Sequence, residues 1–292
     1  MIDTAQAPSF ESPKLAMWLF LGTEIMFFCG LFSAYYVLRA GATGGNPALW
    51  PTREQTHVLP LVGLINTLIL LSSSVGLSLA LSQLQNGQLS GCVRSLALSL
   101  LLGLAFLGIK AWEYSEKFHH GLIPGQIAEA PGPDARRERL LVRGQRVWLD
   151  RQRGALESYL AQHEKSTAPE VVDAKEFLAL LRDGKKENGD YIRPLTPAEA
   201  AEGANALLEK HPELPIRPAL PNGNLWASFY FTMTGIHALH LIAGLVLITL
   251  VLLRGLFGAL DPNRSDFLAN TALYWHFVDL VWLFLFPLIY LL

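Results

Sequence analysis

Residues 225–253 read LWASFYFTMTGIHALHLIAGLVLITLVLL, 29 positions without one Asp, Glu, Lys or Arg. A bilayer core about 30 Å thick needs roughly 20 apolar residues of helix. This stretch therefore predicts a membrane-spanning helix with length to spare. It is not uniformly apolar. His237 and His240 lie three apart and share a face with Thr234 and Gly244, a small-and-polar stripe suited to close helix packing.

Four more stretches resemble it on either side. Residues 15–38 carry one charge, Glu24, and residues 58–84 carry none. Residues 95–112 carry Lys110 near their end, and residues 267–292 carry Asp279 well inside. The expected fold is all-α: a polytopic bundle of five transmembrane helices. Residues 1–117 hold membrane helices 1–3 and residues 223–292 hold helices 4–5. Between them lies an extramembrane insert, residues 118–222.

The composition supports two materials in one chain. Of the 292 residues 51% are hydrophobic and 16% charged, against roughly 25% charged in soluble domains. The mean hydropathy is +0.30. Residues 118–222 concentrate 16 of the 25 acids and 15 of the 23 bases. A net charge of −2 gives no nucleic-acid footprint. Cys29 and Cys92 make no disulfide framework. No short apolar core with a small-residue cleavage site opens the chain, so the first span is expected to be retained. Lys14, Arg94, Arg254 and Arg264 outnumber Arg39 and Arg53, a slight bias toward a cytoplasmic N-terminus, with insert and C-terminus outside.

Depth arithmetic gathers the polar residues. At about 1.5 Å per residue, Glu24, Asn66, Thr67, His237, His240, His276 and Asp279 all fall roughly 12–22 Å from an entry face. A carboxyl there costs at least about 2.5–3.5 kcal/mol and needs a partner or a water cavity. Glu24 has only Phe20, Phe27 and Phe28 one turn away, so a partner must come from another helix. Two readings stand: a proton-relay carboxyl, or an acid that joins two helices. His276 and Asp279, three apart, are spaced so that a direct pair is open to them. Gly63, Asn66, Thr67, Ser73 and Ser74 suggest a tightly packed face. Lys110, Glu113 and Tyr114 end the third span, where snorkelling and interface anchoring explain them. Trp18, Tyr35, Tyr36, Trp226, Tyr230, Tyr274 and Tyr290 lie mostly near span ends, as an aromatic belt would. A bis-histidine haem from His237 or His240 with His276 is a rival with no further haem signature.

These blocks resemble the heme-copper oxidase (cytochrome c oxidase) subunit III family. Trp18–Phe32, WLFLGTEIMFFCGLF, is similar to that family's third helix, which carries a membrane-buried glutamate in a Phe- and Gly-rich frame. Asn66-Thr67 with Leu71–Ser74 resembles the fourth helix. Lys110-Ala-Trp-Glu113-Tyr114 resembles the end of the fifth, where the family usually has Gln at the Lys position. Thr234-Gly-Ile-His237-Ala-Leu-His240 resembles the Thr-Gly-x-His-x-x-His signature of the sixth. Tyr274-Trp-His276-Phe-Val-Asp279-Leu-Val-Trp282 resembles the seventh. The family's first two helices are absent, as in its short members. Those helices form one side of a lipid-filled cleft, which puts bound phospholipid here in doubt.

The resemblance implies a non-redox accessory subunit of a respiratory terminal oxidase in a prokaryotic inner membrane. Such a subunit binds no haem or copper itself. Those cofactors belong to the catalytic subunit I and to subunit II, its partners. It sustains proton uptake and stability while oxygen is reduced to water and protons are translocated. No residue is expected to be catalytic; Glu24, His237, His240, His276 and Asp279 form the proton-related layer, and Asn66, Thr67 and Gly244 serve packing. The alternatives are an accessory subunit of a quinol oxidase or nitric oxide reductase, or a small proton-coupled transporter. The last predicts broken helices or an inverted repeat, and neither is visible.

The insert matches no family pattern. Helices are expected over 134–164, broken at Gly144 and Gly154, over 170–183, and over 197–210 behind the capping box Thr196-Pro-Ala-Glu199. Lys185–Asp190 reads as a turn. His119, His120, His163 and His211 are expected to face solvent, and their spacing supports no copper site. The insert either docks another subunit or an electron donor, or is a tolerated surface insertion.

Overall fold

The computed structural model describes residues 12–129, 142–187, 190–261 and 265–291. It contains α1 (Ser12–Thr43), a 3-10 turn (Pro47–Leu49), α2 (Pro60–Gln85) and α3 (Leu89–His119). The insert supplies α4 (Val142–Gln162), α5 (Pro169–Asp183), the short strands β1 (Lys185–Glu187) and β2 (Asp190–Arg193), and α6 (Pro197–Lys210). The chain ends with α7 (Gly223–Leu256), α8 (Asp266–Phe286) and a π-helical turn, Pro287–Leu291.

Among the described residues, five helices are long and apolar enough to cross a membrane: α1, α2, α3, α7 and α8 with its terminal turn. The chain is an all-α membrane bundle with a largely helical insert. It divides into two compact units. One holds residues 1–36, 59–113 and 230–292; the other holds 37–58 and 114–229.

In the membrane unit, small residues let helices approach closely, as expected where lipid supplies no hydrophobic drive. Ser73 and Ser99 each donate to the other's backbone carbonyl at 2.9 Å, tying α2 to α3. Trp275 of α8 is fully buried between two glycines. A Cβ at Gly103 or Gly244 would come within 2.9 Å and 2.7 Å of its indole. Gly63 of α2 similarly faces Phe286 and Tyr290. The helices differ in how much the chain itself covers. In their most apolar windows 56% of α8 is buried against 11% of α1, so α8 is the central helix and α1 the peripheral one.

In the second unit, Trp148, Leu156, Phe177, Leu178, Ala204 and Leu207 anchor a core shared by α4, α5 and α6. The capping box forms: Thr196 Oγ1 accepts from the Glu199 amide and Glu199 accepts from the Thr196 amide. Arg193 clamps the same carboxylate with two bonds of 2.6 and 2.7 Å. A chain that crosses five times puts the α1–α2 and α3–α7 connections on one side, and these two pack together. Asn222 donates to the Leu49 carbonyl at 2.8 Å, and Lys117 to the His57 carbonyl at 2.6 Å.

Three local expectations fail. α4 runs unbroken through Gly144 and Gly154, because a helical glycine costs only about 1 kcal/mol and buried Trp148 and Leu156 flank Gly154. Its expected start, from residue 134, lies outside the described residues. Lys185–Asp190 is no simple turn but pairs as an antiparallel hairpin, Lys185 opposite Arg193. The aromatic belt also shrinks. Trp18 and Tyr36 are exposed, whereas Tyr35, Trp226, Tyr230, Tyr274 and Tyr290 are buried.

Candidate functional site

Among the described residues, two ionisable groupings sit within the spans of the membrane unit, apart from the exposed Lys14–Asp266 pair at the helix ends. The first joins α1 to α7. Glu24 Oε2 lies 3.0 Å from His240 Nε2. The other ring nitrogen of His240, Nδ1, sits 2.9 Å from the Ile236 carbonyl in its own helix. With that carbonyl accepting from Nδ1–H, only Nε2 is left to serve the glutamate. Tyr274 of α8 donates to the His240 carbonyl at 3.0 Å, and the Phe28 ring packs edge-on against the imidazole. The Phe-rich frame around Glu24 thus encloses one flank of the pair. The other stays open, since the Glu24 side chain is 21% exposed.

The second grouping is enclosed. Lys110 Nζ donates to Glu113 Oε2 at 3.0 Å and to the Tyr290 hydroxyl at 2.8 Å. Glu113 accepts from the Tyr230 hydroxyl at 2.7 Å and from Tyr290 at 2.6 Å. Both side chains are 7% exposed. The Trp282 ring lies 5.3 Å from the ammonium, within cation–π range. Three helices and the terminal π turn build this cluster. Pro287 lacks the amide hydrogen that would continue α8, and the wider turn after it presents Tyr290. Snorkelling of Lys110 is therefore overturned: its charge is buried and satisfied inside the bundle by Glu113 and Tyr290. The available signal was the i, i+3 spacing of Lys110 and Glu113.

The remaining residues singled out in the sequence separate. His276 turns to α2, within hydrogen-bonding reach of Ser74 and Ser78, and does not pair with Asp279. Its serine partners were missed because sequence spacing carries no azimuth between helices. Asp279 is buried beside Ser74. His237 is buried between Phe106 and Trp282, without a hydrogen-bond partner among the described residues. Asn66 reaches the Phe106 carbonyl at 3.5 Å, and Thr67 accepts from the Trp282 indole at 2.9 Å. In the insert, His119, His120 and His163 are exposed as expected. His211 is not: it is half-buried, 3.1 Å from Asp173.

The sequence model of the family described as "Cytochrome c oxidase subunit III" matches residues 8–120 and 220–292. The chain belongs to the cytochrome c oxidase subunit III family. Its relatives include the "Cytochrome c oxidase subunit 3" of Latimeria chalumnae, 25% identical over 284 residues, spanning 97% of this chain and 70% of the relative. The Danio rerio protein of the same name is 26% identical over the same spans. That of Branchiostoma lanceolatum is 25% identical over 281 residues, spanning 95% and 68%. The subunit III match takes in every residue of both ionisable groupings, Lys110 and Glu113 included. It leaves out residues 121–219, which is most of the insert.

Proposed function

We propose that this chain is a non-redox accessory subunit of a cytochrome c-type terminal oxidase, held beside the catalytic subunit I and subunit II, and that Glu24 with His240 serves proton uptake. The observation that carries this reading is the Glu24–His240 pair at 3.0 Å on the helix the chain covers least. A carboxylate and an imidazole in hydrogen-bond contact can pass a proton between them, and the open flank lets a neighbouring subunit or water reach it. The exposed apolar faces of α1 and α2, among them Trp18, Met26, Leu61 and Leu68, suit lipid tails and an adjoining membrane subunit.

The placement of the histidines supports the absence of a redox centre in this chain. His240 is committed to Glu24, His276 to two serines, and His237 lies between aromatic rings. Each of these three is engaged by a different set of neighbours, which is not the arrangement of paired axial ligands. Haem and copper then belong to the partner subunits. The bias of short-loop basic residues supports a cytoplasmic N-terminus in a prokaryotic inner membrane, with the insert on the outer side.

Purifying the tagged chain in mild detergent and recording its visible spectrum tests this reading. Expected is co-purification with a haem- and copper-bearing catalytic subunit, and loss of all colour once the chain is separated from it. Haem retained on the isolated chain, or a colourless chain that comes down without partners, contradicts it.

A further inference from the structure

The extramembrane unit holds a cavity of about 440 Å³ to which the family match assigns nothing. That is the size class of pockets for small organic ligands. The α1–α2 connection contributes Gln55 and His57, α4 contributes Trp148 and Arg151, and the approach to α7 contributes Arg217. The rest of the wall is largely apolar, with Leu122, Leu208 and Ile216 among it.

Among the described residues the charged side chains on its wall are Arg151 and Arg217, with no Asp or Glu; Glu116 sits outside the wall, 3.5 Å from His120. Arg217 gives one donor to the His119 carbonyl at 2.6 Å, and among the described residues neither Arg217 nor Arg151 has a carboxylate partner. Burial first, and then the nearby Arg151, hold the Arg217 guanidinium below its usual range. Two guanidiniums brought together without a counter-charge cost free energy that a bound anion would recover. Gly121 makes the arrangement possible. It has φ +67°, and a Cβ there would overlap the Arg217 guanidinium.

Flat surfaces lie beside the charges. His57 and His120 stack with ring centroids 3.7 Å apart and planes 15° apart. His57 holds its place from the left-handed region, φ 50°, which non-glycine residues seldom adopt without a functional or local reason. Trp148 is buried, and its indole N–H has no partner among the described residues. The Gln126 side-chain oxygen, on another wall, is likewise unpartnered. Buried polar groups are seldom left so.

We propose that this cavity binds a small organic anion, a phosphate or carboxylate carried on a flat apolar body. Arg151 and Arg217 hold the charged group, and the rings and aliphatic wall hold the body. Nucleotides and aromatic carboxylates share that chemistry.

Equilibrium dialysis of the purified full chain in detergent tests the proposal, with ADP and naphthalene-2-carboxylate as probes and adenosine and inorganic phosphate as comparators. Saturable binding of one probe per chain is expected, with both comparators at least about tenfold weaker. Preference for ADP assigns a nucleotide-type ligand; preference for the naphthoate assigns an aromatic acid. Arg151→Gln and Arg217→Gln should each weaken binding by about tenfold or more. Gly121→Ala should weaken it too, by displacing Arg217 without removing a charge. Arg151 is exposed, so R151Q tests the site without threatening the fold. Failure of both probes to bind saturably, or unchanged binding in the folded R151Q chain, overturns the proposal.

Discussion

Glu113 and Glu24 are both carboxylates in apolar helices, each with a basic partner at 3.0 Å. Their surroundings differ in kind. Glu113 is walled in by Lys110 and two tyrosine hydroxyls, and its side chain is 7% exposed. Glu24 faces one histidine, is 21% exposed, and belongs to the helix with the least cover inside the chain. A charge pair fully enclosed and fully hydrogen-bonded holds helices together, and removing one partner strands the other. A pair with an open flank remains accessible to a neighbouring subunit or to water. On the function proposed above, the difference gives architecture to one carboxylate and proton handling to the other.

The largest test of that division is Glu113→Ala. It leaves Lys110 buried without its counter-charge and should cost about 3–5 kcal/mol, read as an earlier midpoint in detergent-titrated unfolding. A midpoint shifted by no more than in surface variants would break the comparison. Next comes Tyr290→Phe, which removes a hydroxyl serving both Lys110 and Glu113. A loss of about 1–3 kcal/mol is expected from the buried polar groups left short of a partner. Tyr274→Phe removes only the bond to the His240 carbonyl and should cost about 0.5–1.5 kcal/mol in the same assay. Glu24→Gln should move the unfolding midpoint least, because the neutral amide still reaches His240 and carries no carboxyl burial cost.

Much of the bundle was legible in the sequence because the bilayer imposes a strict length and charge rule. Windows of 18 or more residues with at most one charge mark all five spans, and the structure has a helix at each. The glutamate frame and the two-histidine stripe were legible as residues but not as a pair. Nothing in spacing says that Glu24 of α1 faces His240 of α7, 216 positions away. The enclosed cluster was misread for the same reason. A lysine near a span end looks alike whether it snorkels outward or turns inward. Only the position of Tyr290, set by the π turn after Pro287, decides between them. In the insert the capping box at Thr196 was readable because its partners are three residues apart. The hairpin at 185–193 was not, since charged strands of three and four residues carry no apolar alternation.

The most direct test of the central claim is proton uptake by the assembled oxidase during turnover, followed with a pH-sensitive dye. Wild type, Glu24→Gln and His240→Phe should be compared under one set of conditions. The expected result is slowed uptake and earlier inactivation in both variants, with haem content and unfolding midpoint close to wild type. Wild-type uptake and lifetime in Glu24→Gln would contradict the claim and leave Glu24 as a packing residue.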